Sequence, residues 1–305
     1  MLVPLTILDF MRRAEQVYGE RVAVFDEPSQ PATPLGPLTY GRLAALARAQ
    51  AAGLDALGVG FGERVAIVSH NAARMLVSFF GVAGHGRVLV PINFRLSPAE
   101  IAYIVEHSGA SMLLVDPELD ASLAEVKCAR RFVLGAESDA LLLRHDVAPA
   151  RWQADEQATA TINYTSGTTA RPKGAADAPQ PVDQRDDVRA AHGVSDRDVY
   201  LHTLPMFHCN GWGMPFALAG LGARQHVLRK VDGAEILRRV ATHGITLMCG
   251  APAVFNAILA AAQQWQGRSR GAARSAWYVP GRRRRRGRSS ASRRSSAGSS
   301  CRSTG

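Results

Sequence analysis

Ile162-Asn163-Tyr164-Thr165-Ser166-Gly167-Thr168-Thr169-Ala170-Arg171-Pro172-Lys173-Gly174 is the one segment of this 305-residue chain that reads as chemistry rather than as scaffold. From Ala160 to Tyr164 the residues are β-branched, small and aromatic, as at the end of a buried strand, and from Thr165 they turn abruptly to hydroxyls and glycines. That change suits a loop that holds a polyphosphate. Glycine lets the backbone approach an anion closely, successive N–H groups form an anion-binding nest, and Ser and Thr hydroxyls donate further hydrogen bonds. Lys173 adds a mobile positive charge. The spacing is not that of a Walker loop, because no Gly-Lys-Ser/Thr ending is present and no helix-forming run follows Lys173 directly.

Outward from this loop the chain alternates strands and helices. Before it, Thr6 to Glu20 has helical apolar spacing, Arg21 to Phe25 reads as a strand, and Leu38 to Leu43 leads into an Ala/Leu-rich helix ending near Gly58. Glu63 to Ser69, Asn71 to Val82 and Arg87 to Pro91 then follow as strand, helix, strand, with crossover lengths that suit a parallel sheet. Ser97-Pro98-Ala99-Glu100 is a capping box with Pro at the first helical position, and Ser111 to Val115 is the next strand. Phe132 to Leu134 adds a short strand, and Glu137 to Gln157 reads as a poorly patterned connection. After the loop, strands at Val199–Leu204, Gln225–Leu228 and Thr246–Cys249 alternate with helices at Gly213–Leu221, Ala234–His243 and Pro252–Gln264. The expectation is an α/β fold of two βα subdomains with mostly parallel sheets, the phosphate loop lying at their junction.

Tyr164 to Gly174 resembles, almost residue for residue, the signature loop of the AMP-forming adenylating enzymes, the family of acyl-CoA synthetases, non-ribosomal peptide adenylation domains and luciferases. Leu38-Thr39-Tyr40, Val88 to Ile101 and Leu204 to Gly213 are similar to further segments of that family, so the resemblance spans about residues 1–174 and 193–264. It implies an N-terminal domain of the acyl-CoA synthetase type. The reaction it implies joins a carboxylate to ATP as acyl-AMP with release of pyrophosphate, then transfers the acyl group to CoA, with Mg²⁺ assisting. On this resemblance Thr165, Ser166, Gly167, Thr168, Thr169 and Lys173 hold the ATP phosphates. His208, in Leu204-Pro205-Met206-Phe207-His208-Cys209-Asn210-Gly211-Trp212-Gly213, sits beside the reacting carboxylate as an orienting or gating group; the alternative is a structural histidine that caps the next helix. Phe207 and Trp212, with Met206 and Phe216, line either an apolar acyl slot or the core. Gly250, Ala251 and Pro252 end a strand and open a helix, a turn that flanks the substrate pocket in the family. No metal ligand is assignable.

Composition bounds the rest. With 47% hydrophobic residues the chain has material for a substantial core, and runs such as Met75 to Ala83 are too short to span a membrane. No charged-then-apolar leader is evident, so a cytoplasmic location is expected. Cys128, Cys209, Cys249 and Cys301 are far apart, which suggests neither a disulfide framework nor a zinc site. The net charge of +10 belongs to the tail, since 12 arginines and no acid lie in 268–305 and the remainder is slightly acidic. Acyl substrate and oligomeric state are not legible.

Two stretches break the pattern. Ala175 to His192 is polar and aperiodic where the family has Thr-His and an amphipathic helix, yet DNA encoding it reads QLTHRNLWINATTFGLH one base later. Gly271 to Gly305 is likewise encodable by DNA whose displaced frame gives the family's continuation. The reading is a compensated pair of frameshifts around 175–192 and an uncompensated one between about 265 and 277. Residues 1–267 are then a truncated adenylation domain with 175–192 an aberrant loop, 268–305 a disordered Arg/Ser-rich tail, and the C-terminal lid absent. This implies an incomplete ligase, weakly active or inactive. Two other classes stay open: a non-catalytic truncated product with residual ATP binding, and a nucleic-acid-associated protein acting through the tail.

Overall fold

Thr6 starts the first helix by offering its backbone N–H and its hydroxyl to the Asp9 carboxylate, at 2.8 and 2.9 Å. The helix, α1 (Ile7–Tyr18), buries Ile7, Phe10, Met11 and Ala14 along one stripe. The computed structural model to which it belongs describes residues 4–165, 173–177, 193–265, 267 and 274–277. Strand β1 (Val22–Phe25) follows, and β2 (Pro37–Thr39) returns antiparallel to it. The Thr39 hydroxyl then caps α2 (Tyr40–Ala56) by accepting the Arg42 N–H at 3.2 Å.

The next run is β3 (Arg64–Val68), α3 (Ala73–Gly81), β4 (Val88–Ile92), α4 (Pro98–His107), β5 (Ala110–Val115), β6 (Arg131–Val133), α5 (Ala136–Leu142), β7 (Thr161–Thr165) and β8 (Lys173–Asp177). Its strands form a sheet in the order β6-β5-β3-β4-β7-β8, parallel except for the β7–β8 pair. The expected capping box opens α4: the Ser97 hydroxyl accepts the Glu100 N–H, and the Ser97 N–H donates to the Glu100 carboxylate at 2.9 Å. The last run is β9 (Val199–His202), α6 (Met214–Leu221), β10 (Arg224–Val227), α7 (Gly233–His243), β11 (Leu247–Gly250), α8 (Pro252–Ala262) and β12 (Arg274–Trp277).

The second sheet has the order β12-β11-β9-β10-β1-β2, so the chain's first two strands complete the sheet made by its last run. Val24 of β1 is in parallel register with Gln225 of β10. The sequence division into one subdomain before the loop and one after it misses this return, because pairing between segments so far apart leaves no local trace. Three further elements were not expected. Helix α5 lies in the stretch read as a connection, Ala175–Asp177 belong to β8, and the backbone of Arg274–Trp277 pairs in parallel with β11. The rest of the proposed aberrant loop, 178–192, and of the tail lies outside the described residues.

A single proline shapes the edge that carries the site. Leu89 N–H of β4 donates to Ala160 O at 2.9 Å, while its neighbour Val88 N–H donates the other way, to Glu63 O. N–H groups alternate sides along a strand, so position 91 would face β7 again, and Pro91 has no N–H to give. The β4–β7 register accordingly consists of Leu89↔Thr161, beyond which β7 runs on with β8 instead.

The two sheets share one core. It runs from Phe10 and Leu43 through Phe79 and Phe80 to Val24 and Val227 of one sheet and Val65 and Leu114 of the other. Phe216 of α6 meets Phe79 and Phe80 edge-on at 5.4 and 5.8 Å. Each such ring contributes about 1.5–3 kcal/mol by burial. The sheets also meet through ions: Arg229, just past β10, forms a forked pair with Asp116, just past β5, at 2.8 and 2.6 Å. Both side chains are nearly sealed from solvent, at 4% and 3% exposed.

Candidate functional site

Strand β7 presents two chemically different faces. Ile162 and Tyr164 pack toward α4 and its apolar neighbours, whereas Thr161 and Asn163 are buried on the opposite face. The Tyr164 hydroxyl lies 2.8 Å from His107 Nδ1, which pins the strand to the end of α4. Gly174 of β8 crosses over Tyr164 so closely that a Cβ there would meet the ring at 3.0 Å. Thr165 and Lys173 are both exposed and face each other in register as the last and first residues of the two strands. The loop that joins them contains Ser166, Gly167, Thr168 and Thr169, which lie outside the described residues. The hairpin therefore holds the two ends of the expected phosphate loop side by side.

Beyond β9 the chain adopts a conformation not foreseen from its residues. Cys209, Asn210, Gly211, Trp212 and Gly213 all have φ between 47° and 69°, one turn wound left-handed before α6 begins. Glycine takes this region freely, but a side chain at Cβ makes it cost about 1–2 kcal/mol per residue, or about 3–6 kcal/mol for Cys209, Asn210 and Trp212 together. Two buried amides hold the segment. Asn71, between β3 and α3, donates to the carbonyls of His202 and Leu204 at 3.1 and 3.0 Å and accepts the Met206 N–H at 2.8 Å. Asn210 donates to the Thr161 hydroxyl of β7 at 2.9 Å.

His208 enters this turn exposed, and its ring caps no backbone group, which leaves the helix-capping alternative without support. Its Nε2 lies 4.0 Å from Cys209 Sγ. Phe207 is buried and meets Phe94 edge-on at 5.2 Å, while Phe94 lies 3.9 Å from the His70 ring. The Arg95 guanidinium sits 5.3 and 5.8 Å from the Phe94 and Phe207 centroids. Trp212 is half-buried against the cluster of Tyr200, Met214 and Leu218. Met206 and Phe216, at 0% and 1% exposed, belong to the shared core rather than to a slot.

Gly250 ends β11 buried, and a Cβ on it would meet Val254 and Phe255 of α8 at 3.1 and 3.2 Å. Ala251 and Pro252 follow, exposed, at the start of that helix. The Thr203 hydroxyl donates to the Cys249 carbonyl and so ties the ends of β9 and β11 together. The ends of β3, β5, β9, β10 and β11 thus meet along one seam, and open α/β sheets take ligands in the crevice outside such strand ends.

The crevice floor is charged but self-neutralising. Burial alone would raise the Asp116 carboxyl, and the Arg229 fork overcomes that and holds it below its usual range. Lys230 and Arg229 pull Glu118 down to about 2. His70 is lowered by burial and then by Arg229, so its imidazole is neutral near pH 7, and its Nδ1 has no partner among the described residues. Sequence reading missed His70, Asn71, Thr161, Asn210, Asp116 and Arg229. For His70, Asn71, Asp116 and Arg229 the available signal was positional, since each lies just past the carboxyl end of a strand.

A family model described as AMP-binding enzyme matches residues 10–300. The chain is 34% identical over 280 residues to the 4-hydroxybutyrate–CoA ligase 2 of Metallosphaera sedula, covering 82% of this chain and 48% of that protein. It is 34% identical over 269 residues to a long-chain-fatty-acid–CoA ligase of Thermus thermophilus, covering 83% and 49%. The chain spans about half the length of the curated relatives it matches. Among solved structures, the inhibitor-bound N-terminal domain of FACL13 from Mycobacterium tuberculosis superposes with a TM-score of 0.73 at 26% identity, covering 82% of this chain and 64% of that one.

Proposed function

This chain belongs to the AMP-binding enzyme family, and from that premise we propose that the whole protein is an AMP-forming acid–CoA ligase acting on a carboxylic acid of the fatty type. A carboxylate oxygen attacks the α-phosphorus of ATP, pyrophosphate leaves, and the CoA thiol then displaces AMP from the acyl carbon. Names of relatives support the acid–CoA chemistry, and the half-buried, apolar Trp212 supports a hydrocarbon substrate.

Within this reading Thr165, Lys173 and the loop between them hold the β- and γ-phosphates. Their hydroxyls and ammonium neutralise charge as it gathers on the departing pyrophosphate, where an oriented donor lowers the barrier most. His208 orients the carboxylate, and Phe207, Trp212 and the Gly250-Ala251-Pro252 turn flank the acyl group. Mg²⁺ would arrive with the ATP phosphates and screen their charge. Among the described residues no group of three or more His, Cys, Asp or Glu could hold a metal ion. Among the described residues no helix is long and apolar enough to cross a membrane, and a cytoplasmic site of action is part of the proposal.

One observation carries the reading. Strand β7 ends at the register pair Thr165↔Lys173 and, four residues earlier, grips the His208 turn through Thr161. Strand β7 thus carries the Thr165–Lys173 pair at its end and, about 13 Å back along it, the Thr161 bond that holds the turn after His208. Titration calorimetry with ATP is the test: Lys173→Ala is expected to weaken binding by about 10-fold or more, the worth of a charge-assisted hydrogen bond. Unchanged affinity in the variant would remove the phosphate loop from the reading.

A further inference from the structure

We propose that Asn210 and Thr161 are a positioning pair that locks the left-handed turn, and His208 with it, onto strand β7. The functional sense of the pair rests on the role given above to His208; its geometry does not. Asn210 is 3% exposed, and its Nδ2 reaches a hydroxyl 49 residues away in sequence. Its Oδ1 has no partner among the described residues, so the Thr161 bond is the one hydrogen bond found for this amide.

Thr161 is a fixed anchor. It is 0% exposed, stands in register with Leu89 of β4 and Asp177 of β8, and also receives Asn163 Nδ2 at 3.4 Å. The turn, by contrast, is held against its own preference, since Cys209, Asn210 and Trp212 all sit at positive φ. Asparagine is the residue type that tolerates this backbone while keeping a side chain able to hydrogen-bond, which is the combination a tether at this point requires. Releasing the amide frees the turn to change hand, and His208, directly before it, moves away from the line of β7. The pair thus sets the distance between the carboxylate-orienting group and the phosphate loop.

Cys209 is exposed and adjacent to Asn210, so its alkylation reports on the turn. The experiment measures iodoacetamide modification of the 305-residue chain peptide by peptide, with the half-buried Cys128 as the internal standard. Thr161→Val keeps the shape of threonine and removes the acceptor; it is expected to change the Cys209 modification rate by up to about fivefold, the factor one net hydrogen bond supports. Thr161→Ser, which keeps the hydroxyl, is expected to restore the parent rate. In an Asn210→Gly background, where the donor is already gone, Thr161→Val should change the rate no further. A Thr161→Val rate equal to the parent, a Thr161→Ser rate equal to Thr161→Val, or a parallel change at Cys128 overturns the pair. A second arm adds an acyl sulfamoyl adenosine to the parent protein. Protection of Cys209 supports the His208 reading, whereas no protection with the variant pattern intact sinks that reading and leaves the pair standing.

Discussion

Three histidines lie where an imidazole does not keep a proton. Burial, followed by the Arg87 charge, pushes His85 down to about 4, burial brings His202 to about 4, and burial with the neighbouring His243 takes His226 to about 3. In the unfolded chain each titrates near 6.5, so their contribution to stability is complete above that value and is lost as pH falls from about 6.5 toward 4. Each adds a slope of about 1.4 kcal/mol per pH unit within that window. The melting temperature is therefore expected to be level above pH 7 and to drop steeply below pH 6; a level profile down to pH 5 would contradict the burial of these rings. Arg229→Ala strands the Asp116 carboxylate inside the protein and is expected to cost about 3–5 kcal/mol in urea unfolding, with Lys a poor substitute because it cannot fork. Lys173 and the hydroxyls before it could be named as candidates because their chemistry is contiguous in the chain. Asn71, Thr161 and Arg229 were not, because their partners lie 131 or more, 49 and 113 residues away.

At the scale of elements, what was legible is what local physics determines. The Ser97–Glu100 box opens α4 as its spacing predicts, and the apolar stripe of Ile7, Phe10, Met11 and Ala14 makes α1. Helix α5 was invisible because seven residues are too few to establish a period. The left-handed turn was invisible for a different reason: Gly211 and Gly213 hint at unusual backbone, but nothing about cysteine or tryptophan announces positive φ. Its strain is measurable. Cys209→Gly removes a Cβ from an exposed left-handed position, and the gain, less the entropy of a new glycine, is expected to stabilise the protein by about 0.5–1 kcal/mol in thermal unfolding. A loss of stability would mean that Cys209 supplies a contact worth more than its strain.

At the scale of the molecule, the shared core makes the two sheets one cooperative unit. Near-ultraviolet and far-ultraviolet circular dichroism are expected to follow a single urea transition, and two separated midpoints would show the sheets unfolding independently. The segment 175–192 belongs to this scale as well, because its polar composition has no place in the alternation around it. The coding DNA is expected to yield QLTHRNLWINATTFGLH one base out of frame; codons that cannot do so would dispose of the frameshift reading. The return of β1 to pair with β10 has a consequence in time. About 200 residues separate the two strands, and ribosomes add about 5–20 residues per second, so β1 emerges some ten to forty seconds before the strand that pairs with its second edge exists. During that interval the nascent chain displays an unpaired strand edge, which makes that edge a natural landing place for a chaperone at the exit tunnel.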